Sequence, residues 1–248
     1  LDDEAALQEA FSTHGHELAV VIIEPVPANN GLLLQRPAFL KLIRETCTKY
    51  GVLLLFDEVI SGFRTGFTGA AGLYHIQPDI ITFGKIIGGG LPVGAYASSA
   101  VNMAHISPEG NVYQAGTLSG NPVAMSAGIA QLRECLKPGF YEMLEQKTTR
   151  LTGAIQQHCD GKNYPVKMHQ LGSIFWIAFS KQEHIRRADQ IDAESMKYFR
   201  ILHAELLERG IYLPPSGYEV GFVSEAHTDA DITETIIAFN AALDIACG

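Results

Sequence analysis

Apolar residues run along this chain in two textures, and their alternation predicts its layers. Residues 1–15 carry apolar positions at helical spacing and close on Gly15, whereas LAVVIIE, residues 18–24, is an unbroken β-branched run of the kind buried in a parallel sheet. A second helix is predicted over residues 37–50, with Pro37 in its first turn and Gly51 as its stop. VLLLFDEV then returns to the sheet, and DIITFG and VGAYAS read as two further strands. Strands alternating with helices predict an α/β fold with a largely parallel sheet flanked by helices, whose sites gather at the carboxyl ends of the strands.

From about Gly120 the texture changes. A helix is predicted over residues 121–136, a Lys-Pro-Gly break follows, and a second helix covers residues 140–158. KMHQLGSIFWIAFS alternates and turns at its glycine. A helix from about residue 193 to 209, a short strand near 220–223 and a closing helix over 229–246 complete a C-terminal α+β domain. The expected division is residues 1–137, a large domain, and 138–248, a smaller one.

Composition narrows the function classes. The 248 residues are 47% hydrophobic, enough for a sizeable core. Acidic residues outnumber basic ones, 27 to 18, for a formal net charge of -9, which argues against nucleic acid or an anionic membrane as partner. The longest apolar runs are strand-sized, so a cytoplasmic protein is expected. Cys47, Cys135, Cys159 and Cys247 are far apart and form no zinc or redox spacing, so no metal site is expected. The opening LDDEAALQEAF is acidic, helical in pattern and without an initiator methionine, and it reads as the interior of a longer chain.

Chemistry enters where the apolar strand LLLF runs into Asp57 and Glu58, because a carboxylate there needs a partner. Strand alternation puts Asp57 and Val59 on one face and Glu58 on the other. Lys85 follows the next strand among glycines, in TFGKIIGGGLPVGAY, so amine and carboxylate can converge on one sheet edge. Such convergence suits pyridoxal phosphate, which needs a lysine to form a Schiff base and a carboxylate to keep its ring nitrogen protonated. Gly84 and Gly88–Gly90 would leave room for a cofactor and permit unusual turns. Alone, Asp57 reads rather as a cap and Lys85 as a solvated loop lysine or a phosphate contact, and GKIIGGG is not a P-loop, whose glycines precede the lysine. YQAGTLSGNPVAMSAG feeds a helix, and Thr117 and Ser119 would suit a phosphate, with capping by Ser119 or Asn121 as the simpler alternative.

Together, LLLFDEVISGFRTGFTGAAGLYHIQPDIITFGKIIGGGLPVGAY and YQAGTLSGNP resemble the class III, fold-type I pyridoxal-phosphate aminotransferases, and the likeness extends from IIEPV to EVGFVSEAHTDADI. The resemblance implies a fold-type I transferase with Lys85 as the Schiff-base lysine, Asp57 as partner of the pyridinium nitrogen and Val59 packed behind the ring. Gly116 and Thr117 match a loop that in this family reaches the cofactor phosphate of the neighbouring subunit, so a homodimer with shared sites is implied.

Within the family the chain is most similar to the aminomutase branch. Transaminases that use 2-oxoglutarate carry a Glu shortly after the EP and an Arg in the C-terminal domain, where this chain has Asn29 and Glu219. A carboxylate at 219 would repel a substrate carboxylate and attract an amine. The implied activity is intramolecular amino transfer from glutamate-1-semialdehyde to 5-aminolevulinate, for tetrapyrrole synthesis, using pyridoxal and pyridoxamine phosphate. A class III ω- or β-amino acid transaminase and a cofactor-free remnant are the alternatives. The family's N-terminal portion, with its phosphate loop and ring-stacking aromatic, is expected to lie outside this sequence.

Overall fold

The computed structural model describes residues 1–248. The chain forms two compact units, one of Asp2–Val26 and Gln35–Pro138, the other of Leu1, Pro27–Leu34 and Gly139–Gly248.

In the first unit α1 (Glu4–His14), β1 (Val20–Ile23), α2 (Pro37–Tyr50) and β2 (Leu53–Glu58) alternate, followed by α3 (Gly69–Leu73), β3 (Ile80–Phe83), β4 (Ala95–Ser98), α4 (Ala100–Met103) and α5 (Pro122–Cys135). The sheet order is β1-β2-β3-β4, with β1, β2 and β3 parallel and β4 antiparallel to β3. Helix α2 starts on Pro37 and stops where Gly51, at φ 68°, turns left-handed and returns its N–H to the Cys47 and Thr48 carbonyls. Its apolar face, Phe39, Leu40, Ile43 and Cys47, packs on Leu54 and Phe56 of β2 together with Phe11 of α1. One sheet face is therefore dry.

The opposite face is more open, which corrects the expectation for LAVVIIE. Ile22 is 64% exposed because β1 lies at the sheet edge and only alternate positions face the helices. Residues 69–73 and 100–103 are helical although their short segments carry no readable periodicity.

The second unit wraps α6 (Phe140–Lys162), α7 (Met196–Glu208) and α8 (Asp229–Cys247) around an antiparallel sheet of β5 (Lys167–Leu171), β6 (Ile174–Ala178) and β7 (Gly221–Phe222). Ile155, Leu202, Leu206, Phe239 and Leu243 are fully buried in its core. Helix α6 runs four residues past the expected His158 and ends on left-handed Asn163. Every residue of β6 is buried rather than alternate ones, because the helices cover Phe175 and Ile177 while Gly31 meets Trp176 on the other face. The cysteines are free thiols, three buried and Cys247 partly so. No helix is long and apolar enough to cross a membrane.

Candidate active site

The two carboxylates at the end of β2 have opposite fates. Glu58 faces the helical layer, is fully buried, and accepts hydrogen bonds from Ser61 Oγ at 3.0 Å, Ala70 N at 2.7 Å and Ala71 N at 2.8 Å. Burial pushes its carboxyl above the ordinary range, against the three hydrogen bonds that hold it down. Gly69 is obligatory beside it, since a Cβ there would lie 2.4 Å from Glu58 Oε2. Glu58 thus serves the start of α3, the capping role the sequence left open for Asp57.

Asp57 faces the open side, half-buried. Its Oδ1 accepts from Val59 N at 3.0 Å and from Thr82 Oγ1 at 3.2 Å, and Thr82 is its register partner on β3. These bonds fix the carboxylate and leave Oδ2 without a hydrogen-bond partner. Val59 follows on the same face, and a Cβ at Gly84 would stand 3.1 Å from its Cγ1. Gly84 therefore seats the end of β3 against Val59, and Lys85 comes next.

Lys85 opens a 3-10 turn, Lys85–Gly88, in a left-handed backbone conformation, φ 48°, that a lysine adopts at a cost of about 1–2 kcal/mol. Its side chain is exposed, and its amine makes no hydrogen bond or ion pair within the chain. Among the neighbouring glycines, Gly89 and Gly90 take the unusual left-handed turns expected of them, at φ 56° and 91°. A Cβ at Gly89 would lie 2.4 Å from the Ala127 carbonyl oxygen, and one at Gly128 would lie 2.2 Å from that of Ile87. Gly89 and Gly128 admit the backbone of α5 against the lysine turn.

Gly116 and Thr117 lie in an exposed loop that turns at Ser119, whose N–H bonds the Gly116 carbonyl at 2.9 Å. Asn121, not Ser119, caps α5, with Oδ1 accepting from Val123 N and Ala124 N. The Thr117 hydroxyl is left free for another group.

In the second unit, Gly31 N donates to the Tyr218 carbonyl at 2.6 Å, joining the segment that bears Asn29 to the segment that bears Glu219. Both side chains are exposed. This juxtaposition is not legible from spacing, because 190 positions separate the two residues. Thr82 was also missed, although a lone hydroxyl in the apolar strand IITF was a usable signal.

An unengaged amine on Lys85 and an open carboxylate oxygen on Asp57, at the carboxyl ends of adjoining parallel strands with Val59 between, are the donor set a pyridinium aldehyde requires, so the residues fit that cofactor. This arrangement, on an α/β sheet joined to an α+β unit, is that of a pyridoxal-phosphate-dependent transferase of fold type I. The class-III aminotransferase family model matches residues 3–243, and the chain belongs to that family. Among its relatives, the glutamate-1-semialdehyde 2,1-aminomutase of Bdellovibrio bacteriovorus is 49% identical over 229 residues, covering 92% of this chain and 54% of its own length. That of Leptospira biflexa serovar Patoc is 50% identical over 237 residues, covering 95% and 56%. The chain spans about half the length of the curated relatives it matches. A solved ω-transaminase from Sphaerobacter thermophilus superposes with a TM-score of 0.92 at 32% identity, over 100% of this chain and 57% of that one. A glutamate-1-semialdehyde aminomutase from Pseudomonas aeruginosa PAO1 in complex with PMP shares the fold, with a TM-score of 0.86 at 23% identity over 98% and 55%.

Proposed function

We propose that the protein catalyses intramolecular amino transfer, converting glutamate-1-semialdehyde to 5-aminolevulinate in the cytoplasm, with pyridoxal 5'-phosphate as cofactor and its pyridoxamine form in the cycle. The observation that carries this reading is the identity of 49% and 50% to relatives named as that aminomutase, along a chain that keeps Lys85 and Asp57 at adjoining strand ends. When bound, the cofactor supplies an electron sink and an exchangeable amino group.

The chain's own residues then have distinct tasks. Asp57, held by Val59 N and Thr82 Oγ1, keeps a proton on the ring nitrogen through its open Oδ2. Val59 is the apolar wall behind the ring. The Lys85 amine would hold the cofactor by its aldehyde and would serve as the base that moves protons to and from the substrate. The first unit forms the cofactor-binding part and the second, which takes in Pro27–Leu34, the small domain, in which Asn29 and Glu219 supply substrate contacts. The Glu219 carboxylate attracts the substrate's amine and disfavours an external glutamate, so no amino donor is required.

Gly116 and Thr117 bind the phosphate of a neighbouring subunit in a homodimer. Support comes from the apolar exposure of the same stretch, with Tyr113 83%, Leu118 62%, Val123 67% and Ile129 51% exposed, more than a lone soluble subunit carries in one place.

Formation of 5-aminolevulinate from the semialdehyde, with no added amino donor or acceptor, tests the reading. A protein that forms alanine or glutamate from an oxo-acid instead is an ω- or β-amino acid transaminase.

A further inference from the structure

We infer that Trp176 is the positioning residue that holds the two substrate-facing segments of the second unit in register. The inference rests on the reading of Asn29 and Glu219 as substrate contacts.

Trp176 is the only tryptophan in the chain and lies in the middle of β6 with 2% of its surface exposed. Its indole Nε1–H donates to the Gly217 carbonyl at 2.8 Å. The six-membered part of the same ring, on the side next to the N–H, rests on Gly31, where a Cβ would stand 2.8 Å from Cζ2 and Cη2. Gly31 also has φ 81°, so that position excludes side chains twice over. Its amide donates in turn to the Tyr218 carbonyl, at 2.6 Å. The three contacts form a closed joint of ring to Gly217, ring to Gly31 and Gly31 to Tyr218. Asn29 lies two residues before Gly31, and Glu219 two residues after Gly217, so the ring fixes both ends of the pair.

The joint is backed on its other sides. A Cβ at Gly217 would meet Met196 Sδ at 2.7 Å and Phe199 Cγ at 2.8 Å, which pins that segment on α7. His169, the cross-strand partner of Trp176, lies with its ring 5.3 Å from the indole at 30°. A ring that donates its one hydrogen bond outward while three sides are packed has little freedom to move. A buried indole N–H needs an acceptor, and here the acceptor belongs to the segment that bears Glu219 while the ring also packs on the segment that bears Asn29.

Two variants test this. Trp176→Phe keeps a ring in the slot and removes the N–H, and hydrogen exchange of residues 27–34 and 214–220 should then quicken roughly tenfold with α6 and α8 still protected. The KM for glutamate-1-semialdehyde should rise and kcat change little. Gly31→Ala approaches from the other side, and because the tryptophan is unique its fluorescence should shift, whereas in Gly210→Ala, another left-handed position with open space around it, it should not. Unchanged exchange in the two segments, or equal acceleration in α6 and α8, overturns the inference. Local acceleration with an unchanged KM also overturns it where Asn29→Ala or Glu219→Ala raises KM. Asn29→Ala and Glu219→Ala separate the two readings: if they leave KM unchanged as well, the substrate assignment fails and the exchange result alone decides the joint.

Discussion

Adjacent acids at the end of β2 divide structure from chemistry. Glu58 satisfies two backbone amides and a hydroxyl in a dry layer, so Glu58→Ala should cost about 3 kcal/mol by leaving them unpaired. Asp57 is half-buried, and Asp57→Asn should shift stability by less than about 1 kcal/mol when both variants are unfolded in urea. Strand alternation made that split legible in the sequence, but Thr82, which aims Asp57, depends on register that no local pattern encodes. Lys85 carries backbone strain for its position, so Lys85→Gly should stabilise the cofactor-free chain by about 1 kcal/mol. A lower melting midpoint in that variant would mean the turn is not strained. His169 is buried, and burial, with further contributions from His184 and Lys167 against Glu183, lowers its pKa. A lowered pKa means that the unfolded chain takes up the proton first, so stability is fully present above about pH 6.5 and is lost as pH falls through the folded value. His169→Phe should flatten that part of the pH profile.

At the level of elements, the sequence was most readable where a boundary has a local cause. Pro37 and Gly51 bracket α2 at the predicted residues, because a fixed φ and a left-handed stop act within one turn. The parallel strands were legible from their apolar runs, but β6 was read as alternating although it is buried on both faces. Its second cover comes from Pro27–Leu34, more than a hundred residues earlier, and sequence-local patterns carry no trace of that. The unusual turns expected of the glycines after Lys85 are present at Gly89 and Gly90, but the approach of α5 to Gly89 is a tertiary fact that no local pattern carries. Gly128→Ala should therefore cost at least about 2 kcal/mol, as its Cβ would strike the Ile87 carbonyl. Gly94→Ala, with open space around it, should stay within about 0.5 kcal/mol. Equal effects would mean that α5 does not press on the lysine turn.

For the molecule as a whole, the net charge of -9 argues against nucleic acid or an anionic membrane as partner, and no helix is long and apolar enough to cross a membrane. The exposed apolar stretch around Tyr113, Leu118 and Val123 predicts self-association, so Val123→Lys should shift sedimentation towards the monomer and make the melting midpoint less dependent on protein concentration. Everything else rests on Lys85. The direct test is to incubate the chain with pyridoxal 5'-phosphate, reduce with borohydride, and map the modified lysines by mass spectrometry. The account predicts label concentrated on Lys85 and lost in Asp57→Ala. Label on Lys85 no heavier than on the exposed surface lysine Lys41 would contradict it.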